Sequence, residues 1–451
     1  MTPLEALRSG DVGQDWAGRG MCVVGILAMI GLAWLLSENK RKVDWRLVGM
    51  GTALQLVFAA LILKTNAGRV VFARANDAVT ALLAYSETGA RFVFGNLVDL
   101  AVPAGKPLFE PGAQSPVLEP QFWAFTGAII AFRILPTILF FSALMALLYH
   151  LGVMQIAVRG VAWVMQRTMR TSGPETLSAA GNIFLGQTEA PLLVKPYLDK
   201  MTRSELLAIM AAGFATTAGG VLAAYVGMLS STFPDIAGHL LACSVMGAPA
   251  ALVMAKVMIP ETEPFDPAES GTVAMGKMDA NVVDAVTRGT TEGTTLAFNV
   301  GAMLITFIAM IAVINAIIGG VGGLVGAEGL SLERIFGWVG APLAFLLGVP
   351  WDDARTVGSL IATKTVINEF VAYQQLADVL GKGGLVHAKS AVIASYALCG
   401  FSNFGSIGIQ IGGIAAMAPG RRSDIARIGL LAMICGSFAT FQTAAIAGLF
   451  L

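Results

Sequence analysis

Apolar runs long enough to cross a lipid bilayer recur along the chain, separated by short polar segments. A spanning helix needs about 20 mainly apolar residues. The runs that meet or approach this length cover residues 21–37, 47–63, 122–151, 206–228, 236–259, 297–321, 388–417 and 425–451. The pattern therefore predicts about eight transmembrane helices.

Three further segments mix charged residues into an apolar periodicity: residues 70–98, 154–170 and 281–295. Helices of this kind lie along a membrane surface more readily than they cross it. The segment 102–120 is rich in Pro and Gly and is expected to be an exposed loop. The basic loop 38–46 is expected to be cytoplasmic by the positive-inside rule.

Two segments, residues 172–200 and 351–380, are apolar but interrupted by polar residues near the middle. Irregular backbone at membrane depth is tolerated only where it is buried in protein or lines a wet cavity. We therefore predict two re-entrant helical hairpins. A Gly-rich span follows each, and this recurrence is typical of transporters built from an inverted repeat. The expected units are 1–120 (N-terminal spans and an interfacial helix), 121–260 (first repeat) and 281–451 (second repeat).

Composition agrees with a membrane protein. Charged residues make up 13% of the chain and hydrophobic residues 56%, whereas a soluble domain carries roughly 25% charge. The formal net charge is zero, so nothing indicates a nucleic-acid partner. The predicted fold class is an all-α integral membrane protein.

Each predicted hairpin carries one glutamate near its tip, Glu189 in the first and Glu369 in the second. An ionised carboxylate at membrane depth costs about 2.5–3.5 kcal/mol, so both residues need an explanation. They could line a hydrated cavity that binds a polar solute, or pair structurally with Lys195 and Lys364. The neighbouring Gln187, Thr188 and Asn368 favour solute binding, because an ion pair does not require them.

Polar residues also interrupt the two Gly-rich spans. Phe401, Asn403 and Ser406 supply an aromatic face, an amide and a hydroxyl, groups that suit a flat ring and a sugar. In the first span, the hydroxyls of Thr216 and Thr217 and freed carbonyls could bind a cation together with Asn182. Close glycine packing and hydroxyl bonds back to the helix are the structural alternatives.

Three motifs in this order make the sequence specific: Gly-Gln-Thr-Glu-Ala-Pro at 186–191, Asn-Glu-Phe-Val-Ala-Tyr at 368–373, and Tyr-Ala-Leu-Cys-Gly-Phe-Ser-Asn-Phe-Gly-Ser at 396–406. With the segment 132–145 they resemble the concentrative nucleoside transporter family. The resemblance runs from about residue 20 to the end. It implies eight spans, two hairpins, three interfacial helices, a homotrimer and an elevator mechanism that imports nucleosides with sodium across the inner (plasma) membrane.

The resemblance also implies roles for individual residues. The residues expected at the nucleobase are Gln187, Thr188, Glu189 and Val221; those at the ribose are Glu369, Asn403 and Ser406, with Phe401 as the aromatic contact. The expected sodium ligands are Asn182, Leu185, Thr216 and Thr217, with Leu185 and Thr217 acting through backbone carbonyls. Two positions depart from the family pattern: Gly219-Gly220 where Gly-Ser is frequent, and Thr217 where Ile is common.

Three rival functions are open at this point. Burial disfavours the charged form of a carboxylate, so a proton on Glu189 or Glu369 could drive transport in place of sodium. An intramembrane enzyme is disfavoured because no nucleophile–base set or metal-ligand cluster is visible. A channel is disfavoured because two occluding hairpins indicate alternating access.

Overall fold

The computed structural model describes residues 16–99, 101–108, 117–125, 129–263, 279–324, 326–327 and 329–451. Sixteen α-helices make up most of these described residues. In chain order they are α1 (Trp16–Leu35), α2 (Trp45–Lys64), α3 (Asn66–Phe94), α4 (Leu135–His150), α5 (Val153–Met169), α6 (Gly173–Gly181), α7 (Arg203–Ala215), α8 (Gly219–Leu229), α9 (Ile236–Met258), α10 (Val282–Leu324), α11 (Leu332–Leu346), α12 (Trp351–Val366), α13 (Glu369–Gly381), α14 (Ala388–Leu398), α15 (Phe404–Met417) and α16 (Arg422–Phe450).

Seven helical stretches within the described ranges are long and apolar enough to cross a membrane. The number is eight if the pair α11 and α12, whose axes differ by 114°, counts as one span. The prediction of a helical, multi-pass membrane protein with about eight spans is confirmed.

A small β-hairpin lies between α3 and α4. Strand β1 (Ala101–Leu108) pairs antiparallel with β2 (Val117–Phe125). The prediction of a loop over 102–120 is therefore wrong for both arms, and the span predicted to begin at 122 starts only at Ile130, with a short π-helical turn before α4. Both strands are edge strands, where proline is tolerated, and the aromatic residues of β2 favour extended backbone.

The spans differ greatly in burial. In the most apolar window of the stretch α7–α8, 94% of the residues are buried, and 89% are buried in α9, whereas only 6% are buried in α10. The chain thus has an interior bundle of α7, α8, α9, α14 and α16, and an outer helix, α10, whose apolar side chains are left for lipid or another subunit.

Helix α10 is a single helix of 43 residues, about 65 Å long. The prediction of a separate surface helix at 281–295 before a span at 297–321 is wrong. The threonines in that stretch do not interrupt the helix, because their hydroxyls donate to carbonyls four residues earlier. Gly289 and Gly293 then let α10 pack closely on α4: a Cβ on Gly289 would lie 2.7 Å from Cα of Ala143.

The amphipathic helices predicted at 70–98 and 154–170 are present as α3 and α5. The buried residues of α5 recur every three or four positions: Met154, Val158, Ala162, Met165 and Met169. That spacing gives one apolar face. Their location at a membrane surface stays a prediction.

Helix α11 has no counterpart among the predicted spans. It has only 15 residues and contains Pro342. The sequence therefore does not predict it as a membrane-spanning helix, which needs about 20 apolar residues. It packs against α12 through glycines: a Cβ on Gly340 would lie 2.3 Å from the carbonyl oxygen of Gly358.

Candidate functional site

The first hairpin is formed by α6, a loop, and a 3-10 helix (Ala190–Tyr197). Ser172 and Glu175 form a capping box at the start of α6. Pro191 and Pro196 lie in the returning arm, where each removes a backbone donor and opposes a regular α-helix. The predicted motif at 186–191 spans the end of the loop and the first two residues of the returning arm.

The second hairpin is formed by α12 and α13, which are separated only by Ile367 and Asn368. Asn368 caps α13, since its Oδ1 accepts a hydrogen bond from the backbone N of Val371 at 2.9 Å. Glu369 is the first residue of α13, where the positive end of the helix dipole stabilises a carboxylate.

Glu369 joins three elements of the fold. One of its oxygens accepts a hydrogen bond from the hydroxyl of Tyr225 on α8 at 3.1 Å, and the other accepts from the amide of Asn403 at 2.8 Å. Asn403 in turn caps α15 by accepting from the backbone N of Ser406 at 2.9 Å. Lys364 does not pair with Glu369; its Nζ donates to the carbonyl oxygens of Ala397 and Cys399.

Tyr225 was not singled out by the sequence, although a buried tyrosine hydroxyl usually has a polar partner. Its ring stacks on that of Tyr373 with centroids 4.2 Å apart. The hydroxyl of Tyr373 donates to the carbonyl oxygen of Ser395 on α14 at 2.6 Å. Val221 lies one turn before Tyr225 and is buried, so both residues are on the same side of α8.

Gln187 and Thr188 pack between the first hairpin and the broken spans. A Cβ on Gly213 would lie 2.9 Å from Cβ of Gln187, and one on Gly413 would lie 2.5 Å from the methyl carbon of Thr188. The Oε1 atom of Gln187 is buried and has no hydrogen-bond partner within the described ranges. It is therefore an acceptor available to a polar ligand.

Glu189 points to a different part of the molecule. Its carboxylate accepts a hydrogen bond from the backbone N of Gly186 at 3.2 Å, and it lines a small cavity with Tyr149 of α4 and with Arg288 and Glu292 of α10. Lys195 is exposed, and the described ion pairs do not include it with Glu189. The structure thus places Glu189 beside the outer helices and away from the cluster around Glu369.

Two of the four predicted cation ligands, Thr216 and Thr217, lie in the first broken span, between α7 and α8, and the other two, Asn182 and Leu185, lie in the loop that follows α6. Thr216 ends α7, and its hydroxyl donates to the carbonyl oxygen of Ala212 at 2.8 Å. Asn182 ends α6; its Nδ2 donates to Ser178, whereas its Oδ1 is buried without a partner among the described residues. Leu185 is buried in the same loop. A buried amide oxygen of this kind suits a hard cation.

The second broken span, between α14 and α15, crosses the first. Thr217 Oγ1 accepts a hydrogen bond from the backbone N of Gly400 at 3.2 Å, and the hydroxyl of Ser402 donates to the carbonyl oxygen of Phe214 at 2.8 Å. Gly400 has φ +88°, and a Cβ there would lie 2.5 Å from that same carbonyl oxygen. Only glycine meets both requirements. Phe401 follows, half-buried at the crossing.

The contact of Thr217 explains one departure from the family pattern. Its hydroxyl lies 2.9 Å from Sγ of Cys399 in addition to its bond with Gly400. The hydroxyl therefore joins the interruption of the first span (the first break, residues 216–218) to the interruption of the second span (the second break, residues 399–403).

Family models match most of the chain. The Na+ dependent nucleoside transporter N-terminus matches residues 24–97, its C-terminus matches residues 239–448, and the nucleoside recognition (Gate) family matches residues 131–232. An uncharacterized transporter of Bacillus subtilis, YutK, is 43% identical over 95% of this chain and 98% of its own length.

Two further similarities extend the comparison. Sodium/nucleoside cotransporter 1 of Mus musculus is 39% identical over 95% of this chain, which spans 63% of the length of that relative. The solved structure of CNTnw in an inward-facing substrate-bound state has a TM-score of 0.83 and 39% identity, covering 95% of this chain and 97% of the other. A CNTnw variant in an outward-facing state has a TM-score of 0.84 and 39% identity, covering 96% of this chain and 98% of the other.

Seven apolar spans among the described residues, two interrupted segments with polar tips, and the matched families together define a multi-pass membrane transporter, and not an enzyme. Within that class, the chain belongs to the Na+-dependent nucleoside transporter family.

Proposed function

We propose that this protein imports nucleosides by sodium symport through alternating access of the elevator type. The observation that carries the proposal is the Glu369 carboxylate, held by Tyr225 and Asn403 where the second hairpin meets the second break. A carboxylate has about four lone-pair positions. Tyr225 and Asn403 occupy two of them, so about two remain for hydrogen bonds from the hydroxyls of a ribose. A buried carboxylate whose direct partners are the neutral Tyr225 and Asn403 also favours a neutral, hydroxyl-rich solute over an anion.

The remaining site residues divide into two groups by location. We assign the ribose to Glu369, Asn403 and Ser406, with Phe401 beside it. We assign the nucleobase to the first hairpin and α8, through Gln187, Thr188, Glu189 and Val221. The unpaired Oε1 of Gln187 supports this assignment, whereas Glu189 faces the outer helices here and would act on the base only after the hairpin moves.

We assign the sodium ion, a transported substrate, to the first break. The side-chain oxygens of Asn182 and Thr216 and the carbonyls of Leu185 and Thr217 are the proposed ligands. The buried, unpartnered Oδ1 of Asn182 supports this site. The hydrogen bond between Thr217 and Gly400 offers a physical connection, since an ion that orders the first break also orders the second, which carries Asn403.

The outer helices supply the proposed fixed part of the elevator. Helix α10 is largely unburied along its length, and we propose that it packs in a homotrimer within the lipid of the inner membrane. A Cβ on Gly220 of α8 would lie 2.9 Å from Oγ of Ser142 on α4. Because Gly219 and Gly220 have no side chains, α8 of the interior bundle can approach α4 of the outer helices closely.

Reciprocal coupling tests the proposal. Binding of uridine to the purified protein is measured in sodium chloride and in choline chloride, and sodium binding is measured with and without uridine. Because coupling between two ligands is reciprocal, each should raise the affinity for the other by the same factor. Uridine binding that ignores sodium, but strengthens as the pH falls, would favour the proton-coupled alternative.

A further inference from the structure

Lys364 is a fully buried lysine that takes no part in the proposed nucleoside or sodium sites. It lies on α12, in the first arm of the second hairpin, with no exposed surface. Its Nζ atom is surrounded by three oxygens: the carbonyls of Ala397 and Cys399, each at 3.2 Å, and Oγ1 of Thr440 at 3.3 Å.

The contacts of Lys364 favour the charged form of its amine. The two carbonyls can only accept hydrogen bonds, and the hydroxyl of Thr440 already donates its hydrogen to the carbonyl oxygen of Ser437 at 2.9 Å. All three hydrogens must therefore come from Lys364. A neutral amine has two N–H groups, whereas an ammonium has three, so three donated bonds require the ammonium. The ring of Phe441, 5.8 Å from Nζ, adds a face that favours a cation.

The ammonium occupies the end of a helix. Ala397 and Cys399 lie where α14 stops, and the last carbonyls of a helix lack partners within it and carry the negative end of its dipole. The first break has the same construction at the end of α7, where Thr216 and Thr217 follow the last helical turn. The two ends are in contact, because Gly400 donates to Thr217.

We propose that Lys364 is a built-in cation that fills the second break and thereby limits the transporter to a single sodium ion, at the first break. Two carbonyls and a hydroxyl are oxygen ligands of the type that a hard cation prefers. Without the lysine, this second break would offer a free ion the same kind of site. The comparison of the two breaks rests on the proposed function, whereas the occupancy of the second break by an ammonium does not.

Two substitutions test whether Lys364 occupies a site for a cation or only fills space in the core. Lys364→Ala removes the ammonium and leaves room beside the three oxygens, while Lys364→Met removes the charge but keeps an apolar stem in that room. Melting of the purified, full-length variants is followed against sodium chloride at constant ionic strength with choline chloride. An Asn182→Ala background removes the contribution of the first break.

In choline chloride both variants should melt several degrees below the unaltered protein, since the three oxygens lose their donors. Sodium should then raise the melting temperature of Lys364→Ala along a saturable curve and leave that of Lys364→Met almost unchanged. Equal responses of the two variants to sodium would overturn the proposal.

Counting ions on the unaltered protein gives a second test that needs no variant. Equilibrium binding of radioactive sodium should saturate at one ion per chain. Two ions per chain would overturn the role of Lys364 and leave the proposed symport intact. No bound sodium would overturn the proposed symport, and the single-site claim with it.

Discussion

The amide of Asn403 donates to the carboxylate of Glu369 at 2.8 Å, although the two residues are 34 positions apart and belong to different interrupted segments. The bond ties the tip of the second hairpin to the start of α15. Since the other carboxylate oxygen accepts from Tyr225 of α8, the position of Glu369 is set by three elements at once. A solute that binds Glu369 therefore binds a side chain that all three elements hold in place.

Glu369→Gln should weaken the binding of nucleosides much more than that of free nucleobases. A glutamine replaces one carboxylate oxygen by an N–H₂ group and removes the negative charge, so the site loses one acceptor and the stronger, charge-assisted hydrogen bonds to the ribose hydroxyls. Uridine affinity should fall about 10- to 100-fold, which corresponds to roughly 1.4–2.8 kcal/mol.

The measurement for this variant is competition by uridine and by uracil against a labelled nucleoside. Asp352→Asn is a matched control, because its side chain is 73% exposed at the start of α12 and should leave both affinities unchanged. Equal losses for uridine and uracil would show that Glu369 does not act on the ribose.

Asn182→Ala should raise the sodium concentration needed for half-maximal uptake by about tenfold, or roughly 1.4 kcal/mol. The substitution removes the buried Oδ1 that lacks a protein partner, while the nucleoside contacts are untouched. The assay is uptake at saturating nucleoside as sodium is varied. Asn39→Ala, in an exposed loop, serves as control, and an unaltered sodium curve for Asn182→Ala would remove this residue from the proposed ion site.

Thr217→Val should lower stability, whereas Thr217→Ser should not. Valine has the shape of threonine but cannot accept from the backbone N of Gly400, and an unsatisfied buried group costs about 1–3 kcal/mol. Serine keeps the hydroxyl. Melting temperatures in nucleoside-free buffer report this difference. If both variants melt alike, the hydroxyl does not hold the two breaks together.

Lys256→Met should destabilise the first hairpin by about 3–5 kcal/mol, because it leaves a buried carboxylate without its cation. Lys256 Nζ lies 2.8 Å from Glu175 of the capping box and 3.1 Å from Glu261. The double variant Lys256→Met with Glu175→Gln should recover much of the loss. Chemical or thermal unfolding of the purified protein measures both, and no recovery in the double variant would contradict pairing as the cause.

The sequence predicts the large features of this fold because lipid imposes strict rules on apolar length. The spans, the amphipathic α3 and α5, and the breaks at Thr216 and Phe401 all follow from where polar residues enter apolar runs. The same rules misjudge α10. The charged residues in 281–295 indicate a surface helix in the sequence, but in the structure Arg288 pairs with Asp279 and Glu292 and the helix continues without a break.

The site is predictable only in part. The motifs single out Glu369 and Asn403, but their bond depends on tertiary contacts that no local pattern encodes. Tyr225 looks like an ordinary member of its helix in the sequence, and Lys364 looks like a partner for Glu369, whereas its amine donates to the carbonyls at the second break. Likewise, the sequence puts Glu189 and Glu369 at matching positions, while packing turns Glu189 toward Arg288 of α10.

Sodium symport is tested most directly by uptake of radiolabelled uridine into liposomes that contain the purified protein, with sodium and pH gradients imposed separately. Uridine should accumulate against its gradient when only a sodium gradient is present, and this accumulation should be lost in Asn182→Ala at low sodium. Accumulation driven only by a proton gradient would contradict sodium symport and move the coupling role to a carboxylate.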